Sequence, residues 1–220
     1  MAGRLCGLGF SGGTLAVAFD TLRSLGETRP VLVIENVRSQ DPVPYDCGLA
    51  HRRIWYEDYS WNADDMFFFG VGTSRVKAAV FDFFAGRFPL LREKFVNLIH
   101  PSAQMAYESH LATGVRVDPG CVVAPFAEIG FGVGVVRGAS VGHHAQVDEL
   151  ATIYGGAHIA GHSRVGQRTT IGMGAMVFDH TVVGADCFVG GGSVVNKDIP
   201  DGVVAYGNPC RVVRKNVVER

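Results

Sequence analysis

The sequence predicts two folds in series: an α/β unit with a parallel sheet in the first ninety or so residues, then a coiled β-solenoid. Three observations predict this. Starting at Val117, every sixth residue is Val or Ile through fourteen consecutive periods, to Val195. The residue two places before each is small at most periods (Cys121, Ala127, Ala139 and so on to Ser193), with Val115 and Val133 the bulkiest. Before about residue 97 this hexad is absent, and short apolar runs alternate with glycine turns and helical spacing.

A six-residue period fits neither an α-helix nor an alternating strand, and it indicates a solenoid of short strands. One aliphatic and one small residue per hexad must point inward and stack into ladders. Run backwards, the series adds Leu111, Met105 and Ile99 without a slip in phase, and no insertion interrupts it between Val117 and Val195.

In the first segment, the apolar run Leu5 to Phe10 reads as a strand ending in glycines. Thr14 to Leu25 places Leu15, Ala18, Phe19, Leu22 and Leu25 at helical spacing and stops at Gly26. Val31 to Ile34 reads as a buried strand closed by Glu35 and Asn36, and Met66 to Val71 as another. Gly72-Thr73-Ser74 then leads into a helix from Arg75 to about Phe84. Strand, glycine turn, helix and strand make a βαβ unit with a parallel sheet.

The first turn spells G-x-G-x-x-G, with Gly7, Gly9 and Gly12, and Glu35 follows at about the spacing of a ribose-binding carboxylate. Three readings stand. A dinucleotide needs a second half for which ninety residues leave no room; a tight turn that binds nothing is the plain alternative. The third, favoured reading is a nucleotide whose phosphates approach Ser11, Gly12 and Gly13 at a helix N-terminus.

Composition narrows the classes. A formal charge of −1 argues against nucleic acid and anionic membrane as partners. No apolar run approaches the ~20 residues of a membrane span, and the first residues do not resemble a secretory signal. Cys6, Cys47, Cys121, Cys187 and Cys210 form no CxxC pair, and two occupy the small inward slot, so they read as buried thiols of a reducing, cytoplasmic compartment.

The whole chain resembles one family. The short α/β segment, the link Asn97-Leu98-Ile99-His100-Pro101-Ser102-Ala103 and the unbroken hexads are similar to hexapeptide-repeat sugar acetyltransferases. The likeness is to the sialic-acid O-acetyltransferase and nucleotide-amino-sugar N-acetyltransferase type. The turn Gly9-Phe10-Ser11-Gly12-Gly13-Thr14 matches that family's G-A-S-G-H-G, without its histidine and third glycine. Asp198-Ile199-Pro200 followed by Gly207-Asn208-Pro209-Cys210-Arg211 matches its C-terminal motif, with Cys210 for the usual alanine.

The resemblance implies a Rossmann-like nucleotide-sugar-binding domain over 1–96 and a left-handed parallel β-helix acyltransferase domain over 97–200, with three flat sides and eighteen residues per coil. Residues 201–220 would be a tail contacting coenzyme A. It implies acetyl-CoA as donor, no metal requirement, and a homotrimer with sites between subunits. The substrate would be a nucleotide-linked 4-amino-4,6-dideoxysugar acetylated on its amino group for a surface polysaccharide such as lipopolysaccharide. Substrate would meet Gly9, Phe10, Ser11, Gly12, Gly13, Glu35, Asn36, Gly72 and Thr73, and donor would meet Gly161, Gly191, Gly207, Pro209 and Arg211. Two alternatives remain: an O-acetyltransferase acting on a sugar hydroxyl, and an inactive β-helix scaffold subunit.

Acetyl transfer needs a base for the attacking group and donors for the thioester oxygen. Five of the eight histidines lie between 143 and 180. In the family's phase its catalytic histidine falls on His143, the acid beside it on His144, and its second, donor-contacting histidine on Thr152. The missing acid leaves three candidates to orient the base: Asp179, in the same column but two coils or roughly 10 Å away, and Glu128 and Asp148, of the same or a neighbouring subunit; His144 could share or replace the base. His144, His162 and His180 are eighteen apart and form one vertical column, either a metal ladder or turn residues lining a groove between subunits. His158 reads as solvent-facing.

Overall fold

The computed structural model describes residues 3–38 and 49–217, so the expectation for Cys47 lies outside the described residues. The first part holds β1 (Leu5–Leu8), α1 (Gly12–Ser24), β2 (Val31–Glu35), β3 (His51–Trp55), β4 (Met66–Phe69) and α2 (Ser74–Ala85). Its four strands are all parallel, in the order β3-β2-β1-β4. Alternation along the strands sends Leu5, Val31, Val33 and Phe68 to one core with Leu15, Ala18, Phe19 and Leu22 of α1. Cys6, Leu8, Ile34, Phe67 and Phe69 go to the other, with Val80 and Phe84 of α2. The sheet is thus covered on both faces, as a parallel sheet requires.

Two expected strands end early for one reason. Gly9 turns with φ 77°, and a Cβ there would stand 2.8 Å from Val71 Cγ1. The turns after β1 and β4 cross so closely that a Cβ on Gly70 would overlap the Gly9 carbonyl oxygen. β3 was not anticipated: it is an edge strand of sequence HRRIW, with no residue fully buried. At the opposite end of the sheet, Arg4 donates to buried Asp65, which also accepts from the Tyr59 hydroxyl at 2.7 Å. Burial, with Asp65 beside it, pushes the Cys6 thiol up to about 12, and the four described cysteines are free and buried.

Seventeen two-residue strands follow, from β5 (Leu98–Ile99) to β21 (Val194–Val195). They form three parallel sheets whose register joins residues eighteen apart, as in Ser140 with His158 and Val141 with Ile159. All fourteen phased aliphatics lie in one buried core, with Ile99, Met105 and Leu111 packed against it. The small slot is buried as well, and its hydroxyls are satisfied: Ser163 donates to the Ala160 carbonyl at 2.6 Å and Thr169 to the Gly184 carbonyl at 2.6 Å. The first face holds Arg116–Val117, Gly134–Val135 and Thr152–Ile153; the second holds Ser140–Val141 and His158–Ile159; the third holds Gln146–Val147 and Arg164–Val165.

From Gly114 to Gly192 each corner turns on a residue with φ between 54° and 72°. Between the first and second faces that residue is always glycine: Gly120, Gly138, Gly156, Gly174 and Gly192. Between the second and third faces Phe126, His144, His162 and His180 take this conformation, one that histidine tolerates better than most side chains.

The tail is not separate from the solenoid. β22 (Val203–Tyr206) pairs parallel with Phe188–Val189, and β23 (Arg211–Lys215) pairs antiparallel with β22, extending the first face. The Asn208-Pro209 peptide is cis. Among the described residues no helix is long and apolar enough to cross a membrane.

The two halves are locked together by polar groups of α2. Ser74 Oγ donates to Thr152 Oγ1 at 3.0 Å, and Thr152 Oγ1 donates to the Gly72 carbonyl at 3.2 Å. Lys77, buried, donates to the Gly132 and Ala151 carbonyls at 2.6 and 3.0 Å. Burial, with Arg116 nearby, holds the Lys77 ammonium well below the usual lysine range. Between that lowered pKa and the unfolded value near 10.4 the unfolded chain binds the extra proton, so this group makes stability rise with pH. Lys77→Met is expected to flatten that rise, measured by urea denaturation at pH 7 and pH 9.5.

Candidate active site

In the order β3-β2-β1-β4, β1 is followed by a neighbour on one side and β4 joins it on the other. The chain therefore reverses direction across the sheet between β1 and β4, and the crevice at their carboxyl ends is where such sheets take ligands. α1 and α2 both begin there. Neither has a side-chain cap or an acid in its first turn, so their N-terminal N–H groups and positive dipole ends are unopposed. A Cβ on Gly12 or Gly13 would meet nothing within 4 Å, so packing does not explain glycine at either position.

The solenoid supplies the other wall. A cavity of about 340 Å³ is lined by Ser11, Gly13, Thr14, Thr73, Arg116 and Arg137, among others, with no acid among the described residues that line it. Arg116 lies 2.9 Å from buried Asp118, close enough for an ion pair but not aligned for a hydrogen bond. Arg137 is exposed on the glycine corner. A second cavity of about 470 Å³ continues along that corner, sharing Thr73, Tyr154 and Met173 with the first. A larger concavity, about 960 Å³, lies elsewhere, on the third face. Its charges are largely paired already, Arg92 with Glu149 and Arg164 with Asp148, so it is a poorer anion site.

Of the expected substrate residues, Ser11, Gly13, Gly72 and Thr73 line the smaller cavity. Gly9 forms the turn beneath them and donates to the Ile34 carbonyl at 2.9 Å. Phe10 lies under the Arg53 guanidinium, 3.8 Å from ring centre to Cζ, and Arg53 pairs with buried Glu35. Glu35 is thus engaged by a cation, and Asn36 follows it at the end of β2.

The histidines gather at the opposite corner. His143 Nδ1 stands 3.2 Å from His144 Nδ1. The His143 ring is edge-on to His144 and His162, with centres 5.4 and 5.0 Å away. His144, His162 and His180 stack at 4.8 Å, one ring per coil, and Phe126 tilts against His144 at 4.9 Å. Partial desolvation, with the neighbouring His144, His180 and His143, lowers the pKa of His162. Gly161 is fixed by this cluster: a Cβ there would stand 2.8 Å from His143 Nε2 and Cε1. Gly161→Ala is expected to fold, displace the His143 ring and lower kcat with little change in KM for either substrate, checked by steady-state kinetics.

The donor residues do not all meet in one chain. Gly191 lines the larger cavity on the glycine corner. Gly207, Pro209 and Arg211 sit in the tail turn, held by Cys210 N–H to the Val194 carbonyl at 2.8 Å and Gly207 N–H to Ser193 Oγ at 3.2 Å. Gly161 belongs to the histidine corner.

No protein-family model matches the chain, and no curated protein matches it. Solved structures do. The acetyltransferase domain of PglB from Neisseria gonorrhoeae, in complex with acetyl coenzyme A, is 27% identical with a TM-score of 0.82, over 96% of this chain and 100% of that one. PerB from Caulobacter crescentus, in complex with CoA and GDP-perosamine, is 25% identical with a TM-score of 0.75, over 97% and 98%. WeeI from Acinetobacter baumannii shares the fold at 19% identity and a TM-score of 0.77, over 96% and 99%. The chain is similar over most of its length to sugar acetyltransferases of the hexapeptide type.

Beside these acetyltransferases, the local departures are informative. Thr152, in the family's phase for a second histidine, is fully buried and serves the contact with α2, so within its own chain it reaches no donor. Glu128 accepts from Gln146 and Asp148 from Arg164, and both lie on the third face, so neither contacts His143 of its own chain. The residue that does meet His143 Nδ1 is His144. Sequence reasoning missed Arg116, Arg137 and Tyr154. They are outward hexad positions, and only the docking of α1 and α2 turns that part of the first face into a cavity wall.

Proposed function

We propose that the protein transfers the acetyl group of acetyl-CoA to the amino group of a nucleotide-linked 4-amino-4,6-dideoxysugar, on the path to a surface polysaccharide. The observation that carries this is the cavity between two uncapped helix N-termini and two arginines, with no acid among its described lining residues. It suits a diphosphate, in a chain similar over most of its length to structures holding acetyl coenzyme A, or CoA with GDP-perosamine. On this reading residues 1–96 are a Rossmann-like, mononucleotide-binding domain. Its phosphates lie at Ser11, Gly12, Gly13 and Thr73, and Glu35 and Asn36 flank the nucleoside. Residues 97–200 form a left-handed coil, and Gly191, Gly207, Pro209 and Arg211 line the path of the donor.

His143 is the general base. With His144 Nδ1 accepting from His143 Nδ1–H, the lone pair is left on His143 Nε2. The sugar amine attacks the thioester carbonyl, and His143 Nε2 takes the amine proton. The C–S bond breaks, and the CoA thiolate leaves and is protonated from the imidazolium. The Gly161 N–H is offered to the donor. His144 replaces a carboxylate with a neutral acceptor, which stabilises the imidazolium less. General-base assistance contributes ~10²–10⁴ in rate, and holding both substrates together contributes the remainder.

His143 and the arginine cavity occupy different corners of the same triangular coil. A closed trimer brings the histidine corner of one subunit to the cavity of the next. Light scattering is expected to give three times the chain mass of 23.6 kDa; a stable monomer contradicts it. His143→Ala and Arg137→Glu are each expected to be nearly inactive alone. Co-expressed, they regain activity, since mixed trimers rebuild intact sites. No recovery means that one chain holds the whole site.

A further inference from the structure

Apart from serving a base, the histidine corner converges in a way that a straight column does not. His144, His162 and His180 stack in line, and parallel rings 4.8 Å apart point their nitrogens past one another. His143 breaks the line, standing nearly perpendicular to both His144 and His162. One ligand nitrogen from each of His143, His144 and His162 lies within 4.8 Å of the other two.

Imidazole nitrogens bound at 2.0–2.1 Å to a tetrahedral zinc ion stand about 3.3 Å apart. The His143 and His144 Nδ1 atoms are already at 3.2 Å. The His162 nitrogen must close in and the His143 and His144 rings must turn so that their lone pairs meet at one point, and all three side chains are exposed. Three neutral imidazoles with an open fourth position make a donor set for zinc-class ions rather than magnesium or calcium.

We propose that His143, His144 and His162 form a binding site for a divalent transition ion of the zinc class, and that its occupation switches the enzyme off. The first half stands on ring geometry alone; the second rests on His143 being the base. An ion bound to His143 occupies a nitrogen lone pair and fixes the ring, and the transfer reaction itself has no use for it. Zinc would act as a reversible inhibitor, relieved by a chelator.

The test uses the full chain, freed of metal with EDTA and dialysed. Zinc binding is followed by calorimetry and by the visible absorption of cobalt(II) as a tetrahedral probe. Activity is measured separately by thiol release. One zinc per chain and inhibition reversed by EDTA are expected. His162→Ala, outside the proposed catalytic pair, is expected to keep the metal-free rate and weaken zinc binding and inhibition on the order of tenfold or more. His180→Ala, next in the stack but outside the trio, is expected to bind as the natural chain does. Zinc binding unchanged in His162→Ala, or no binding to the natural chain, overturns the site. Inhibition that survives in His162→Ala overturns the switch. Zinc binding that depends on His162 but leaves the rate intact supports the site and overturns the switch, and with it His143 as base.

Discussion

His143→Ala is expected to fold and assemble normally and to lose ~10²–10⁴ in kcat, with both substrates bound nearly as before. The residue is exposed at a corner and contributes nothing to the ladders, so stability is not at stake. His144→Ala is expected to cost clearly less. It removes the acceptor 3.2 Å from His143 Nδ1, which water can partly replace, but leaves the base itself. The reverse ranking would mean that the base is His144. Near-full activity in both would remove histidine catalysis from this corner and leave substrate positioning as the source of rate. Kinetics of both variants, with nucleotide and donor affinities measured separately, decide among these outcomes.

Ile159→Asp is expected to yield insoluble or unfolded protein. Ile159 is 1% exposed, and its ladder neighbours are Val141 and Val177, one coil to either side. A carboxylate there has no partner among aliphatic side chains, at a cost on the order of several kcal/mol even if it takes up a proton. That is much of the stability of an ordinary domain. In a solenoid the damage reaches further, because each coil is held by its neighbours. Normal yield and melting temperature would mean that Ile159 does not face the core.

The solenoid was legible because a two-residue strand leaves one side chain inward and the corner fixes the count to the next. Each inward position from Ile99 to Val195 could therefore be named from the period alone. Strand β3 was not legible: His51 to Trp55 is an edge strand whose charged residues need no burial on their outer side. Ser74 and Lys77 were not legible either. They lie one turn apart on α2, and lysine ordinarily marks a solvated face; here it caps carbonyls of the solenoid.

The candidate site was legible in part. Gly9 to Gly13 could be read as a phosphate turn because G-x-G-x-x-G stands between an apolar run and a helical pattern; the fold adds that a side chain is barred at Gly9 and unopposed at Gly12 and Gly13. His143 was marked by hexad phase. Its partner was sought among carboxylates, whereas the fold puts His144 Nδ1 there. Arg137 could not be found, since an outward hexad residue is ordinarily solvent-facing until another domain docks beside it.

The most direct measurement is CoA thiol release with acetyl-CoA and a panel of 4-amino-4,6-dideoxysugars linked to UDP, dTDP or GDP, with mass spectrometry of the product. The proposed reaction predicts turnover with at least one of them, one thiol per sugar, and an acetyl group on the amine. Acetylation of a hydroxyl instead, or turnover only with a free sugar, would contradict it. Absence of turnover with every member of the panel would contradict it as well.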